Sequence, residues 1–115
     1  MRVLVTGHDG YIGTILVPML QQRGHEVVGM DSMLFEPCVF GSKTARPDIE
    51  HRCDIRDAAP HHFDGVDAVI HLAGENVAGG RWNRARKERI RASRVEGTRL
   101  LAQSLAAAKE RPSVL

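Results

Sequence analysis

Apolar residues come in short runs at some points of the chain and at helical spacing at others. Val3-Leu4-Val5 is a fully apolar, β-branched run closed by Thr6-Gly7, the pattern of a strand buried on both faces of a parallel sheet. Ile12, Ile15, Leu16, Met19 and Leu20 follow at the spacing of one helical face and predict a helix that turns this face to the core. Gly24 is placed to end it, and Pro18 inside it removes a backbone hydrogen bond and predicts a kink. Glu26–Met30 reads as a second strand ending at Asp31. Residues 32–48, with Ser32, Pro37, Gly41, Ser42 and Pro47, have no period and predict a long irregular connection.

Ile49–Ile55 predicts a third strand, Arg56–Phe63 a short helix weakened by Pro60, and Asp67–Leu72 a fourth strand. A polar, glycine-bearing loop then runs to about Asn83. A long helix follows over Arg84–Lys109, and Pro112 stops it. Ser113-Val114-Leu115 has the look of the opening of a fifth strand. Strands alternating with helices predict an α/β fold with a parallel sheet. Right-handed crossovers order its strands 3-2-1-4, with a stub of strand five beyond.

The loop between the first strand and the first helix reads Thr6-Gly7-His8-Asp9-Gly10-Tyr11-Ile12-Gly13, a G-x-x-G-x-x-G pattern. Gly7 allows the tight turn out of the strand, Gly10 lets backbone approach a pyrophosphate, and Gly13 allows close helix–sheet packing. Free N–H groups at the helix start then face the phosphates. Asp31 lies 18 residues beyond Gly13, where a carboxylate accepts hydrogen bonds from the adenosine ribose and repels a 2′-phosphate. Strand, glycine loop, helix, strand and acid together predict a Rossmann-type unit that binds NAD rather than NADP.

These residues resemble the extended short-chain dehydrogenase/reductase superfamily, of the NAD-dependent sugar-nucleotide epimerase and dehydratase type. The resemblance covers nearly the whole chain and matches the amino-terminal, dinucleotide-binding half of such proteins. It implies further cofactor contacts from Tyr11 and Ile12 in the loop, from Asp54-Ile55 against the adenine, and from the turn His71-Leu72-Ala73-Gly74 after the fourth strand. Val95-Glu96-Gly97-Thr98 resembles the family's N-V-x-G-T, but Arg94 stands where the family has asparagine. Residues 1–72 resemble the sugar-nucleotide epimerases. Residues 73–115, with Ala-Gly-Glu-Asn, Arg-Trp, a basic helix and Ser-Arg-Val-Glu-Gly-Thr-Arg, resemble a less characterised branch with NADP-binding character. That contrast predicts a chimera, natural or engineered, joined near His71–Gly74.

In this superfamily catalysis is expected from a Ser/Thr and a Y-x-x-x-K pair, in which the lysine lowers the pKa of a tyrosine base. Tyr11 is the one tyrosine of the chain, and Ile15 stands four residues beyond it. The expectation is therefore a single half-domain over residues 1–115 that binds cofactor without carrying out hydride transfer alone.

Composition narrows the remaining classes. A chain of 115 residues holds one domain and one modest core. No run of about 18 apolar residues occurs, so no membrane span is expected. The two cysteines, Cys38 and Cys53, make no disulfide framework, and the start lacks a signal-peptide pattern, so a reducing cytoplasm is expected. His51, Cys53, His61 and His62 fit no closed metal site. Cys38 reads as a loop thiol, and His71 as a core or cofactor-lining histidine.

From Arg81 to Arg99 there are eight Arg/Lys and two Glu, and Arg84, Lys87, Arg91 and Arg94 form a basic stripe. A solvated face is the favoured reading and a nucleic-acid surface the competitor. A recombinant structural fold with vestigial cofactor binding is a further alternative. A fourth strand left bare at the sheet edge predicts self-association, through that edge or the long helix.

Overall fold

The computed structural model describes residues 1–34 and 46–115. Four strands, β1 (Arg2–Thr6), β2 (Glu26–Asp31), β3 (Ile49–Arg52) and β4 (Ala68–His71), form one parallel sheet in the order β3-β2-β1-β4. This is the order predicted from right-handed crossovers. Two helices, α1 (Gly13–Gln22) and α2 (Arg84–Ala106), flank it.

Alternation along the strands divides the core. Leu4, Val28, Met30 and Val69 point to one face and are covered by Phe63, Leu101, Leu105 and Ala108. Val3, Val5, Val27 and Ala68 point to the other, where Val17 of α1 seals them with Leu16 and Leu20. Both faces of β1 and β2 are thus buried, which explains their near-continuous apolar sequence. Each fully buried branched or aromatic side chain here stabilises the fold by about 1.5–3 kcal/mol.

Several elements differ from expectation. The face of α1 that packs is Gly13, Leu16, Val17 and Leu20, whereas Ile12, Ile15 and Met19 of the predicted face are exposed. Apolar residues lie on more than half of this helix, so spacing alone left the inward direction ambiguous. The helix continues through Pro18 to Gln22. It ends with Gly24 N–H donating to Gln21 and His25 N–H to Leu20, the paired bonds of a Schellman turn with Gly24 at φ 81°.

Strand β3 stops at Arg52 rather than Ile55. Asp54 caps the turn beyond it by accepting from Arg56 N–H at 2.9 Å, and the expected short helix is two 3₁₀ turns, Ile55–Asp57 and Pro60–Phe63. The long helix closes at Ala106, short of Lys109. The outer edge of β4 is not bare. Val114 bridges Ala68 in parallel, and Val69 N–H donates to Val114 at 2.9 Å, so the predicted stub of a fifth strand covers part of it.

Most of the irregular connection, and Cys38 within it, lies outside the described residues. Among the described residues no helix is long and apolar enough to cross a membrane.

Candidate functional site

The carboxyl ends of β1, β2 and β4 meet at one edge of the sheet, where parallel α/β folds place their ligand crevice. Gly7 makes the first turn. Its φ is 72°, and a Cβ there would stand 2.8 Å from Ala73 N, so β1 and the turn after β4 touch only because residue 7 is glycine. A Cβ on Gly13 would fall 2.5 Å from Gly7 O and 2.4 Å from His8 O. The close approach at Gly13 is thus to the loop itself rather than to the sheet, as the motif alone had indicated.

The loop backbone is arranged to receive acceptors. Gly10 N–H donates to Gly7 O at 3.1 Å, and Thr14 N–H to Gly10 O at 3.0 Å. Among the described residues the N–H groups of Tyr11, Ile12 and Gly13 have no hydrogen-bond acceptor. They lie at the start of α1, where the helix dipole favours an anion. Tyr11 and Ile12 are 88% and 60% exposed, while Gly13 is buried.

Asp31 closes the crevice beside the loop. Its Oδ2 accepts from Asp9 N–H at 3.0 Å and its Oδ1 from Met33 N–H at 2.9 Å. Met33 takes φ 59° to make the second bond. The carboxylate is therefore fixed against the glycine loop, the position that a ribose-binding acid requires.

Across the sheet, the fully buried Thr6 organises the turn after β4. Its Oγ1 accepts from Leu72 N–H at 3.2 Å and Ala73 N–H at 3.3 Å, and lies 2.7 Å from His71 Nδ1. Ala73 N–H is given to this oxygen alone, and Leu72 N–H is shared between it and Thr6 O at 3.1 Å; with these donors on Oγ1, its own proton points to His71 Nδ1. In that arrangement the proton of a neutral His71 sits on Nε2, and burial lowers the pKa of the ring.

The other expected contacts divide. Asp54 lies beyond β3, but its carboxylate is engaged by Arg56 at 2.7 Å. The hydrogen bond from Arg56 holds Asp54 below the usual carboxylate range. Ile55 packs into the core, 3.9 Å from where a Cβ on Gly97 of α2 would be. Leu72 packs against the α1-side core, and Ala73 and Gly74 line the turn.

His8 was missed from sequence. It is buried inside the glycine loop, its Nε2 3.2 Å from Glu50 Oε1 on β3. A Cβ on Gly29 would stand 2.7 Å from His8 Nδ1, so the glycine interrupting the apolar run of β2 was the available signal. Burial works to raise the Glu50 pKa, but the bonds from His8 and Arg52 bring it below the usual value.

The basic stripe is partly consumed. Arg94 turns back to Glu75 O at 3.3 Å and Arg86 to Asn76 O at 2.5 Å, while Arg91 pairs with Glu88 and Arg99 with Glu96. Arg91 and Arg94 stay exposed, so these contacts thin the cationic stripe without removing it. Among the described residues no group of three or more metal-ligating side chains converges. His51 instead meets His62 edge to face and His61 lies tilted against His62, with ring centroids 4.9 Å and 4.1 Å apart. Cys53 is free, and burial, then Asp57 and Asp54, push its thiol pKa up.

The sequence profile of the NAD dependent epimerase/dehydratase family matches residues 3–114. The chain belongs to this family. The epimerase family protein SDR39U1 of Bos taurus is 37% identical over 114 residues, which is 97% of this chain and 34% of that protein. Among solved structures, UDP-glucose-4-epimerase from Stenotrophomonas maltophila with bound NAD and formylated UDP-arabinopyranose superposes with a TM-score of 0.74 at 29% identity, over 94% of this chain and 34% of that one. Human SDR39U1 with NADPH gives a TM-score of 0.66 at 31% identity, over 97% and 34%. The chain thus spans about a third of the length of these relatives.

Proposed function

We propose that this chain is the dinucleotide-binding half-domain of an epimerase/dehydratase-type protein and that it binds NAD in preference to NADP. The observation that carries this reading is the Asp31 carboxylate, tied to the glycine loop through Asp9 N–H. The pyrophosphate would lie on the N–H groups of Tyr11, Ile12 and Gly13, and the adenosine ribose against Asp31. Ala73 and Gly74 would line the nicotinamide side, with Asp54 and Ile55 near the adenine. A bound nicotinamide would supply hydride chemistry. The residues present bind and orient it, but Tyr11 lacks the lysine partner a phenolate base needs, so hydride transfer is not expected from this chain alone.

The choice between the two cofactors rests on charge. The epimerase neighbour was crystallised with NAD and the human relative with NADPH. A carboxylate fixed at the ribose repels a 2′-phosphate, which favours NAD. Thermal unfolding with NAD, NADP or a short DNA duplex tests the reading. NAD at 100 times its Kd should stabilise the fold by about 2.7 kcal/mol. No shift with either dinucleotide would refute it, and a salt-sensitive shift with DNA would favour the basic helix as the binding surface.

A further inference from the structure

The inward stripe of α2 runs through Ile90, Gly97, Leu101 and Leu105, all buried. Helical spacing puts Ser93 and Arg94 on the same stripe, between Ile90 and Gly97, where an apolar residue would be expected. What they face is backbone. Ser93 Oγ accepts from Glu75 N–H at 3.1 Å. Arg94 Nη1 donates to Glu75 O at 3.3 Å. Two successive side chains thus hold both polar groups of one peptide residue.

The pair is itself braced. Ser93 Oγ donates to Ile90 O at 2.8 Å, and Arg94 Nη1 also reaches Ile90 O at 3.3 Å. One residue further along the loop, Arg86 Nη2 donates to Asn76 O at 2.5 Å. A Cβ on Gly74 would stand 3.4 Å from Arg94 Nη1, so the guanidinium lies directly behind the turn that follows β4.

From this we infer that Ser93 and Arg94 are positioning residues for the dinucleotide site: they clamp Glu75 and so fix the Ala73–Gly74 wall. The inference rests on the dinucleotide reading above. Thr6 holds the turn from the β1 side at Leu72 and Ala73, and the clamp holds it from the α2 side at Glu75. Only Gly74 lies between the anchored Ala73 and Glu75, too short a span to move while both anchors persist. Releasing one anchor leaves the wall tethered at a single end, and ligand binding must then pay to order it.

The test uses the chain and its Arg94→Ala, Arg94→Lys and Ser93→Ala variants, with folding verified by circular dichroism. Hydrogen exchange at the Glu75 amide, followed by NMR, reads the clamp directly, and calorimetric titration with NAD reads its consequence. The expected result is exchange at least about tenfold faster in Ser93→Ala and Arg94→Ala. NAD should bind about tenfold more weakly in Arg94→Ala, about 1.4 kcal/mol, with most of the loss restored in Arg94→Lys, which keeps a cationic donor. Unchanged Glu75 exchange overturns the clamp. Faster exchange with unchanged NAD affinity overturns its role at the site. Should no variant nor the parent chain bind dinucleotide, the role at the site falls together with the functional reading, while the exchange result still decides the clamp.

Discussion

The hydroxyl of Thr6 lies 2.7 Å from Nδ1 of His71, at the point where β1 and β4 end side by side. Thr6 is fully buried, and the same oxygen accepts the N–H groups of Leu72 and Ala73. One side chain thus joins the strand that opens the glycine loop to the turn that faces it. Thr6→Val keeps the shape and removes the oxygen, leaving the Ala73 N–H and the His71 Nδ1 without partners. Leaving such groups unpaired costs about 1–3 kcal/mol. The urea midpoint should fall accordingly, and nitrogen chemical shifts in the parent chain should report His71 protonated on Nε2.

Gly13→Ala tests the loop from its other end. The new methyl would meet Gly7 O at 2.5 Å and His8 O at 2.4 Å, both backbone atoms, so the loop must shift. Overpacking of this kind costs about 1–3 kcal/mol. NAD affinity should fall by more than stability does, because the loop that must shift carries the Tyr11, Ile12 and Gly13 N–H groups offered to the pyrophosphate. Equal NAD binding in the variant would remove the loop from the site.

Three partly buried histidines, His51, His62 and His71, set a pH dependence. Burial lowers the pKa of His51 and His62, and neighbouring histidines lower both further; burial also lowers His71. The fold therefore resists protons that the unfolded chain accepts below the ordinary histidine value of 6.5. Stability is full above that value and is lost as pH falls through it towards the lower folded values. Urea unfolding at pH 7.5 and 5.5 should give the lower midpoint at pH 5.5, and His62→Gln should reduce the difference. The carboxylates of Asp48 and Asp54, held low by backbone and arginine hydrogen bonds, add a second loss only at more acid pH.

Val114 occupies part of the β4 edge, which leaves less of that edge to pair with a second copy of the chain. Light scattering at micromolar concentration should still find dimers. Substituting Val114 with proline, which cannot pair as a strand interior does, should change the proportion if the edge is the contact.

Strand order, the glycine loop and Asp31 were legible because each rests on a local pattern: apolar runs for doubly buried strands, glycines at a turn, an acid at a strand end. The inward face of α1 was not, since Ile12, Ile15 and Met19 are as apolar as the residues that pack. The contacts of Thr6, His8, Ser93 and Arg94 were also illegible. Their partners lie far away in sequence, at His71, Glu50 and Glu75, and only the register of the sheet and the seating of α2 bring them together. The relatives match continuously across His71–Gly74, so a junction between two ancestries there remains a proposal that the parent gene sequences would decide.

The most direct test is calorimetric titration of the chain with NAD and with NADP, at one salt concentration, beside Asp31→Asn. The account predicts that NAD binds, that NADP binds at least about tenfold more weakly, a difference of about 1.4 kcal/mol, and that Asp31→Asn narrows the gap. Tighter binding of NADP, or no binding of either, would contradict it.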